Sequence, residues 1–100
     1  MSEIWKVVEE APTYRISNHG RVQNTVSDAY LNPVISQGKP NIKLRHEGRY
    51  QNYVLHRLIA AYFLPDFNPN FMVAFQDGDP SNCAADNLKM TTYPVRGRRK

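Results

Sequence analysis

The stretch Val54-Leu-His-Arg-Leu-Ile-Ala-Ala-Tyr-Phe-Leu-Pro65 decides the fold, because the hydrophobic period of the chain changes there. Its large apolar residues recur at i, i+3, i+4 and i+7: Leu55, Leu58, Ile59 and Tyr62. This spacing predicts one helix with a single buried face. Pro65 marks the end of the helix, because proline lacks a backbone N–H and disfavours the helical conformation in the residue before it.

Strands are predicted on both sides of this helix. Before it, residues 41–45 alternate, with Ile42 and Leu44 toward the core, and a turn at 46–49 leads to a partner strand over 50–54. After it, residues 72–76 and 88–91 predict a second pair around a turn at 77–81. Nearer the start we expect a strand over 4–8, a tight turn at 18–20, and a loop over 24–40 with one short strand near Leu31.

The predicted class is therefore α+β, with small antiparallel sheets plus a helix. The chain has 100 residues, 41% hydrophobic and 22% charged, which is typical of a single compact domain over 1–100. No apolar run reaches the roughly 20 residues that a membrane span needs, and Met-Ser-Glu-Ile-Trp lacks the pattern of a signal peptide. Cys83 is the only cysteine, which excludes an intramolecular disulfide and favours a reducing cytoplasm.

The charge is unevenly distributed. Residues 1–65 carry a balance of +3, residues 66–95 a balance of −3, and residues 96–100 a balance of +4. The first and last segments suit a nucleic-acid partner. The middle segment contains Asp77, Asp79 and Asp86, which could hold a hard cation, although we expect turn-forming carboxylates on a solvated loop. Asn82 and Asn87 are expected to hold that loop through hydrogen bonds.

Two stretches resemble a known pairing of modules. Residues 3–6 and 14–22, Glu-Ile-Trp-Lys and Tyr-Arg-Ile-Ser-Asn-His-Gly-Arg-Val, resemble the DNA-binding module that accompanies HNH nucleases in phage and intron-encoded homing endonucleases. Residues 54–65, 77–82 and 86–88 resemble the HNH nuclease module itself. The resemblance implies a DNA-binding module over about 3–50, a nuclease-like module over about 51–93 with a ββα-metal fold, and a basic tail over 94–100.

The resemblance also implies a catalytic pattern that this chain departs from. In the family a histidine on the first strand of the hairpin is the general base, and the Asp or Asn before it binds a divalent cation. A second ligand follows about twenty residues later. Here Ala74, Phe75 and Arg96 occupy these three positions, and none can do the corresponding chemistry. We therefore predict a degenerate centre with no catalytic residue, no bound metal and no cofactor, and a structural role for His56.

The basic residues around the first hairpin and in the tail favour DNA as a partner. The predicted DNA-binding residues are Asn18, Arg21, Lys39, Lys43, Arg45, Arg49, Arg57, Arg96, Arg98, Arg99 and Lys100. Two alternatives remain open at this point. The domain could be a protein-binding effector that inhibits a host factor, with Phe75 exposed, or a weak metal-dependent nuclease with a rearranged centre. The sequence predicts neither an oligomeric state nor a membrane partner.

Overall fold

Nine strands and one α-helix make up residues 2–94, the part of the chain that the computed structural model describes. In chain order they are β1 Trp5–Val7, β2 Tyr14–Ser17, β3 Val22–Asn24, β4 Tyr30–Leu31, β5 Val34–Ser36, β6 Lys39–His46, β7 Arg49–Val54, α1 Leu55–Phe63, β8 Phe71–Phe75 and β9 Leu88–Pro94, with a 3₁₀ turn at Ala85–Asn87 before β9. No helix within these residues is long and apolar enough to cross a membrane.

The strands form three antiparallel sheets in the order β1-β2-β3-β4, β5-β6-β7 and β8-β9. The β6–β7 hairpin reverses at Glu47 and Gly48, whose φ angles are +53° and +78°. Positive φ at both central residues gives the turn the twist that two-residue hairpins need. The turn therefore sets the register in which Arg45 faces Tyr50 and Lys43 faces Asn52.

One buried cluster joins the two halves of the chain. The apolar face of α1 contributes Leu55 and Ile59, and it packs in the same cluster as Ile16 of β2 and Leu44 of β6. Polar contacts reinforce the junction at Tyr62, whose backbone carbonyl accepts from Lys6 Nζ at 2.8 Å. The Tyr62 hydroxyl accepts from the Glu9 backbone N–H at 2.8 Å. The modules expected over 3–50 and 51–93 therefore share their buried side chains.

The predicted α+β class is confirmed, with small antiparallel sheets around one helix that ends just before Pro65. The short strand expected near Leu31 is confirmed as β4, but the prediction of a loop over the rest of residues 24–40 was wrong, because this segment also contains β5 and the start of β6. The β5 strand was missed because all three of its side chains are exposed, so it has no alternation of apolar and polar residues. It lies at the edge of its sheet, where pairing on one side is enough.

Candidate nucleic-acid interface and nuclease-like loop

The loop between β8 and β9 is held by a small network of amides around Asp77. Asn87 Nδ2 donates to Asp77 Oδ1 and to the Asn82 carbonyl, both at 2.9 Å. Asn82 Nδ2 donates to Asp77 Oδ2 at 3.1 Å. The Asp79 backbone N–H, Asn87 and Asn82 together lower the pKa of Asp77, because each hydrogen bond favours its ionised form. The predicted scaffold role of Asn82 and Asn87 agrees with these contacts.

The same loop is docked onto the turn between β2 and β3. The Ala85 backbone N–H donates to the Asn18 carbonyl at 2.7 Å. Gly20, with φ of +88°, lies so close that a Cβ on it would be 2.8 Å from the Ala84 nitrogen and from the Cys83 carbonyl carbon. Only glycine can adopt this φ without strain and also permit this approach. The β2–β3 turn therefore fixes the position of this loop.

Apolar side chains, Ala74 and Phe75, fill the two positions on β8 where the resemblance places a metal ligand and a general base. The Phe75 ring is partly buried, and its centroid lies 4.5 Å from that of the His56 ring. His56 is the second residue of α1. Ala74 lies opposite Lys89 on β9, so the nearest cross-strand neighbour carries a positive charge. No group of three or more His, Cys, Asp or Glu side chains within residues 2–94 could hold a metal ion. The residues present at β8 do not fit the cation that the family pattern implies.

His56 is the buried titratable group beside this filled position. It is 6% exposed, and its Nδ1 has no hydrogen-bond partner among the described residues. Burial lowers the pKa of His56 to about 4, with smaller contributions from Arg57 and Lys39, and a hydrogen bond to the Val73 backbone only partly offsets them. His56 is therefore a neutral core residue near pH 7, in keeping with the structural role expected for it.

We expect the fold to lose stability as the pH falls from about 6.5 to about 4. The unfolded chain protonates His56 below its ordinary pKa of 6.5, whereas the folded chain resists protonation until about pH 4. The loss over this window is roughly 3 kcal/mol. Urea unfolding of wild type and His56→Gln at several pH values measures it, with His46→Gln at an exposed turn as the control. Equal pH dependence in wild type and His56→Gln would contradict the assignment.

Cations and amides share the outer face of the sheet β5-β6-β7, which we call the hairpin face. Its residues point away from the buried Ile42 and Leu44: Val34, Ser36, Lys39, Asn41, Lys43, Arg45, Tyr50, Asn52 and Val54. Most of them line an open cavity of about 880 Å³. Within residues 2–94, the ion pairs involve His19, Arg21 and His46, and none neutralises the cations of this face.

The structure separates the predicted DNA-binding residues into groups. Lys43 and Arg45 lie together on the hairpin face, as the alternation over residues 41–45 predicted, and Lys39 joins them because β6 begins two residues earlier than expected. Arg49 lies opposite His46 in the strand register at the end of the hairpin. By the alternation of β7 it does not belong to the hairpin face. Arg96, Arg98, Arg99 and Lys100, including the proposed second ligand position, lie outside the described residues.

Three other side chains that were predicted to bind DNA already bond to groups of the protein itself. Asn18 is 7% exposed, and its side chain accepts from the Ile4 N–H at 2.7 Å and donates to the Ser2 carbonyl at 3.1 Å. Arg57 donates to the carbonyls of Phe71 and Pro69, each at 3.1 Å. Arg21 makes a two-pronged ion pair with Glu3, at 2.6 and 2.8 Å. We therefore assign a structural role to Asn18 and Arg57. Arg21 has the same role only in part, because its side chain remains exposed beside Glu3.

Asn41 and Asn52 are part of the hairpin face although reasoning from the sequence did not select them. Asn52 Nδ2 donates to Asn41 Oδ1 at 3.1 Å, and Asn41 Nδ2 donates to the Lys39 carbonyl at 3.0 Å. The alternation of β6 does point Asn41 outward, but selection by positive charge alone passes over amides. The position of Asn41 between two outward lysines is a signal that could have identified it, whereas Asn52 lies between Tyr50 and Val54 and is identified only by its register opposite Lys43.

The hairpin of β8 and β9 follows α1 and carries an Asp-Gly loop that the buried Asn87 holds. The family model described as HNH endonuclease matches residues 53–93. The chain is 36% identical over 93 residues to the H-N-H endonuclease F-TflII of Escherichia phage T5, covering 90% of this chain and 48% of that protein. It is 29% identical over 83 residues to the DNA endonuclease I-HmuI of Bacillus phage SP01, covering 82% and 48%.

A solved structure extends this likeness to the fold. The structure titled "DNA binding and cleavage by the HNH homing endonuclease I-HmuI" matches with a TM-score of 0.80 at 27% identity, covering 89% of this chain and 52% of that one. The family model, the phage relatives and the solved structure together support the HNH homing endonuclease-type family for this chain. It spans about half the length of the relatives it matches.

Proposed function

We propose that this chain is a DNA-associated, phage-encoded protein derived from an HNH endonuclease, and that it does not cleave DNA. The observation that carries the proposal is the hairpin face, where Lys39, Lys43 and Arg45 stand in a row without acidic partners in the described residues. A row of cations along one strand can contact successive phosphates of a duplex. The proposed place of action is the host cytoplasm.

The absence of cleavage is proposed from the contacts of Phe75. Its ring packs on His56 and cannot accept a proton from water, so the hairpin offers no general base at this position. His56 does not replace it, because this side chain is buried against that ring. Loss of a general base alone costs about 10²–10⁴ in rate. The further loss of the adjoining ligand, through Ala74, removes the means of stabilising the leaving oxygen.

We expect no nicking of supercoiled plasmid in the presence of Mg²⁺ or Mn²⁺. Ala74 and Phe75 supply neither a ligand nor a base, and Lys89 opposite Ala74 repels a cation. Agarose gels after long incubation measure the outcome, with EDTA as the control for metal dependence and a mock purification as the control for contaminating nuclease. A metal-dependent nicking activity that co-purifies with wild type, and that is absent from Asp77→Ala, would refute the proposal. It would support the alternative of a nuclease with a rearranged centre.

We expect DNA binding that weakens steeply with salt and depends on the hairpin face. Each lost phosphate contact lowers the slope of log K against log salt by about 0.9 for duplex DNA. The double change Lys43→Ala with Arg45→Ala should therefore lower the slope by about 2. Gel shifts over a salt series measure it, and Lys89→Ala on the other hairpin is a charge control for Lys43→Ala. Equal slopes for Lys43→Ala and Lys89→Ala would exclude the hairpin face.

The protein-binding alternative depended on an exposed Phe75 at the former catalytic position. The ring instead packs against His56 and borders the buried cluster. This contact removes the sequence-based reason to favour a host protein over DNA as the partner.

A further inference from the structure

We propose that Asn52 reads adenine in the major groove of duplex DNA, and that Asn41 positions it. This inference rests on the proposed DNA-binding function and assigns the base-reading residues of the same face. The juxtaposition behind it is a pair of side-chain amides at the centre of the hairpin face, between the cations. Lys43 lies directly opposite Asn52, and Asn41 lies diagonally from it.

The hydrogen bonds within the pair leave one edge of Asn52 available. Its Nδ2 uses one N–H on Asn41 Oδ1 at 3.1 Å, while Asn41 is itself held by the Lys39 carbonyl. In the described part of the chain, Asn52 makes no other side-chain hydrogen bond. Its Oδ1 and its second N–H make no hydrogen bond in that part of the chain, so this exposed side chain keeps one acceptor and one donor for a ligand. The contact with Asn41 fixes the amide plane, so little side-chain freedom is lost on binding.

An acceptor beside a donor is the complement of the Hoogsteen edge of adenine. Adenine presents the N6 amino group as donor and N7 as acceptor, which asparagine binds with two hydrogen bonds. Guanine presents two acceptors, N7 and O6, and leaves the Asn52 oxygen facing another oxygen. Val34, next to Asn41 on the edge strand and 69% exposed, offers an apolar contact of the kind that thymine methyl groups take.

Because the surrounding cations are suited to phosphates, the role left for the amide pair is contact with a base. Lys43 opposite Asn52 and Arg45 one step further along β6 have the charge that phosphates require. A neutral amide between them adds little to the part of the affinity that is the same for every DNA sequence. Its contribution is to distinguish one base pair from another at the place where the two cations hold the duplex.

The experiment compares three short duplexes of equal length by fluorescence anisotropy at fixed salt. They are an alternating A·T duplex, an alternating G·C duplex, and the A·T duplex with 7-deazaadenine, which lacks the N7 acceptor. Wild type should bind the A·T duplex about tenfold more tightly than either of the others. Asn52→Ala should remove this preference and keep the salt dependence, and Asn41→Ala should reduce the preference by a smaller factor.

Gln51→Ala is the matched control, because Gln51 is an exposed amide on the same strand whose position alternates with that of Asn52. It should preserve the preference, and thermal unfolding should show all variants folded. Equal binding of A·T and G·C duplexes by wild type would overturn the inference and leave the proposed function intact. A preference that persists in Asn52→Ala or with 7-deazaadenine would also overturn it. Failure to bind any duplex would overturn the proposed function and the inference together.

Discussion

Gly20→Ala should unfold at a much lower denaturant concentration than wild type, with a loss of about 2–5 kcal/mol. The positive φ of +88° costs an L-residue about 1–2 kcal/mol. The added methyl group would also lie 2.8 Å from backbone atoms of Cys83 and Ala84, and such overpacking typically costs about 1–3 kcal/mol. Neither neighbour is the end of a flexible side chain, so the loop itself has to move. Chemical denaturation monitored by Trp5 fluorescence measures the loss.

Gly48→Ala separates the two causes. Gly48 has a φ of +78°, yet a Cβ there would meet nothing within 4 Å. Its replacement should therefore cost only the backbone strain, about 1–2 kcal/mol. If both alanine variants lose the same free energy, the docking of the β2–β3 turn on the loop contributes nothing. In that case the contact between the two modules at this point would be incidental.

Phe75→Ala should destabilise the fold by about 3 kcal/mol, the lower end of the range for buried phenylalanine because the ring is only partly buried. The change removes the ring that covers His56 and opens that side chain to water. The pKa of His56 should consequently rise from about 4 toward 6.5. Urea unfolding measures the first effect, and NMR titration of the imidazole measures the second.

Met72→Ala on the same strand is the control for this result. Met72 is 41% exposed, so its truncation should cost little and leave the pKa of His56 where it is. If Phe75→Ala matches Met72→Ala in stability, the ring is not part of the core. The vacated catalytic position would then be available to a partner, and the protein-binding alternative would regain its support.

Periodicity predicted the elements whose side chains are half buried. The helix and the β6–β7 hairpin follow from their 3.6 and 2.0 periods, because one face of each packs on the shared core. The β5 strand could not be found this way, since hydrogen bonding at a sheet edge alone holds it in place. The hairpin cations were predicted because alternation places charged side chains on a common face. Proximity in sequence could not reveal that Asn18 and Arg57 are occupied by backbone atoms far along the chain.

The amide network around Asp77 has a consequence for how such a chain can evolve. The loop is shaped by Asn82, Asn87 and backbone N–H groups, and none of these contacts involves the side chain of residue 74 or 75, since the Gly78 N–H bonds only the backbone carbonyl of Phe75. The side chains at positions 74 and 75 can therefore change without breaking this network, and the cost of a change at Phe75 arises instead from its packing against His56. The shape of the loop and the chemistry at these two positions are thus under separate selection in this arrangement. The same independence makes the hairpin a tolerant scaffold on which a new centre could be engineered.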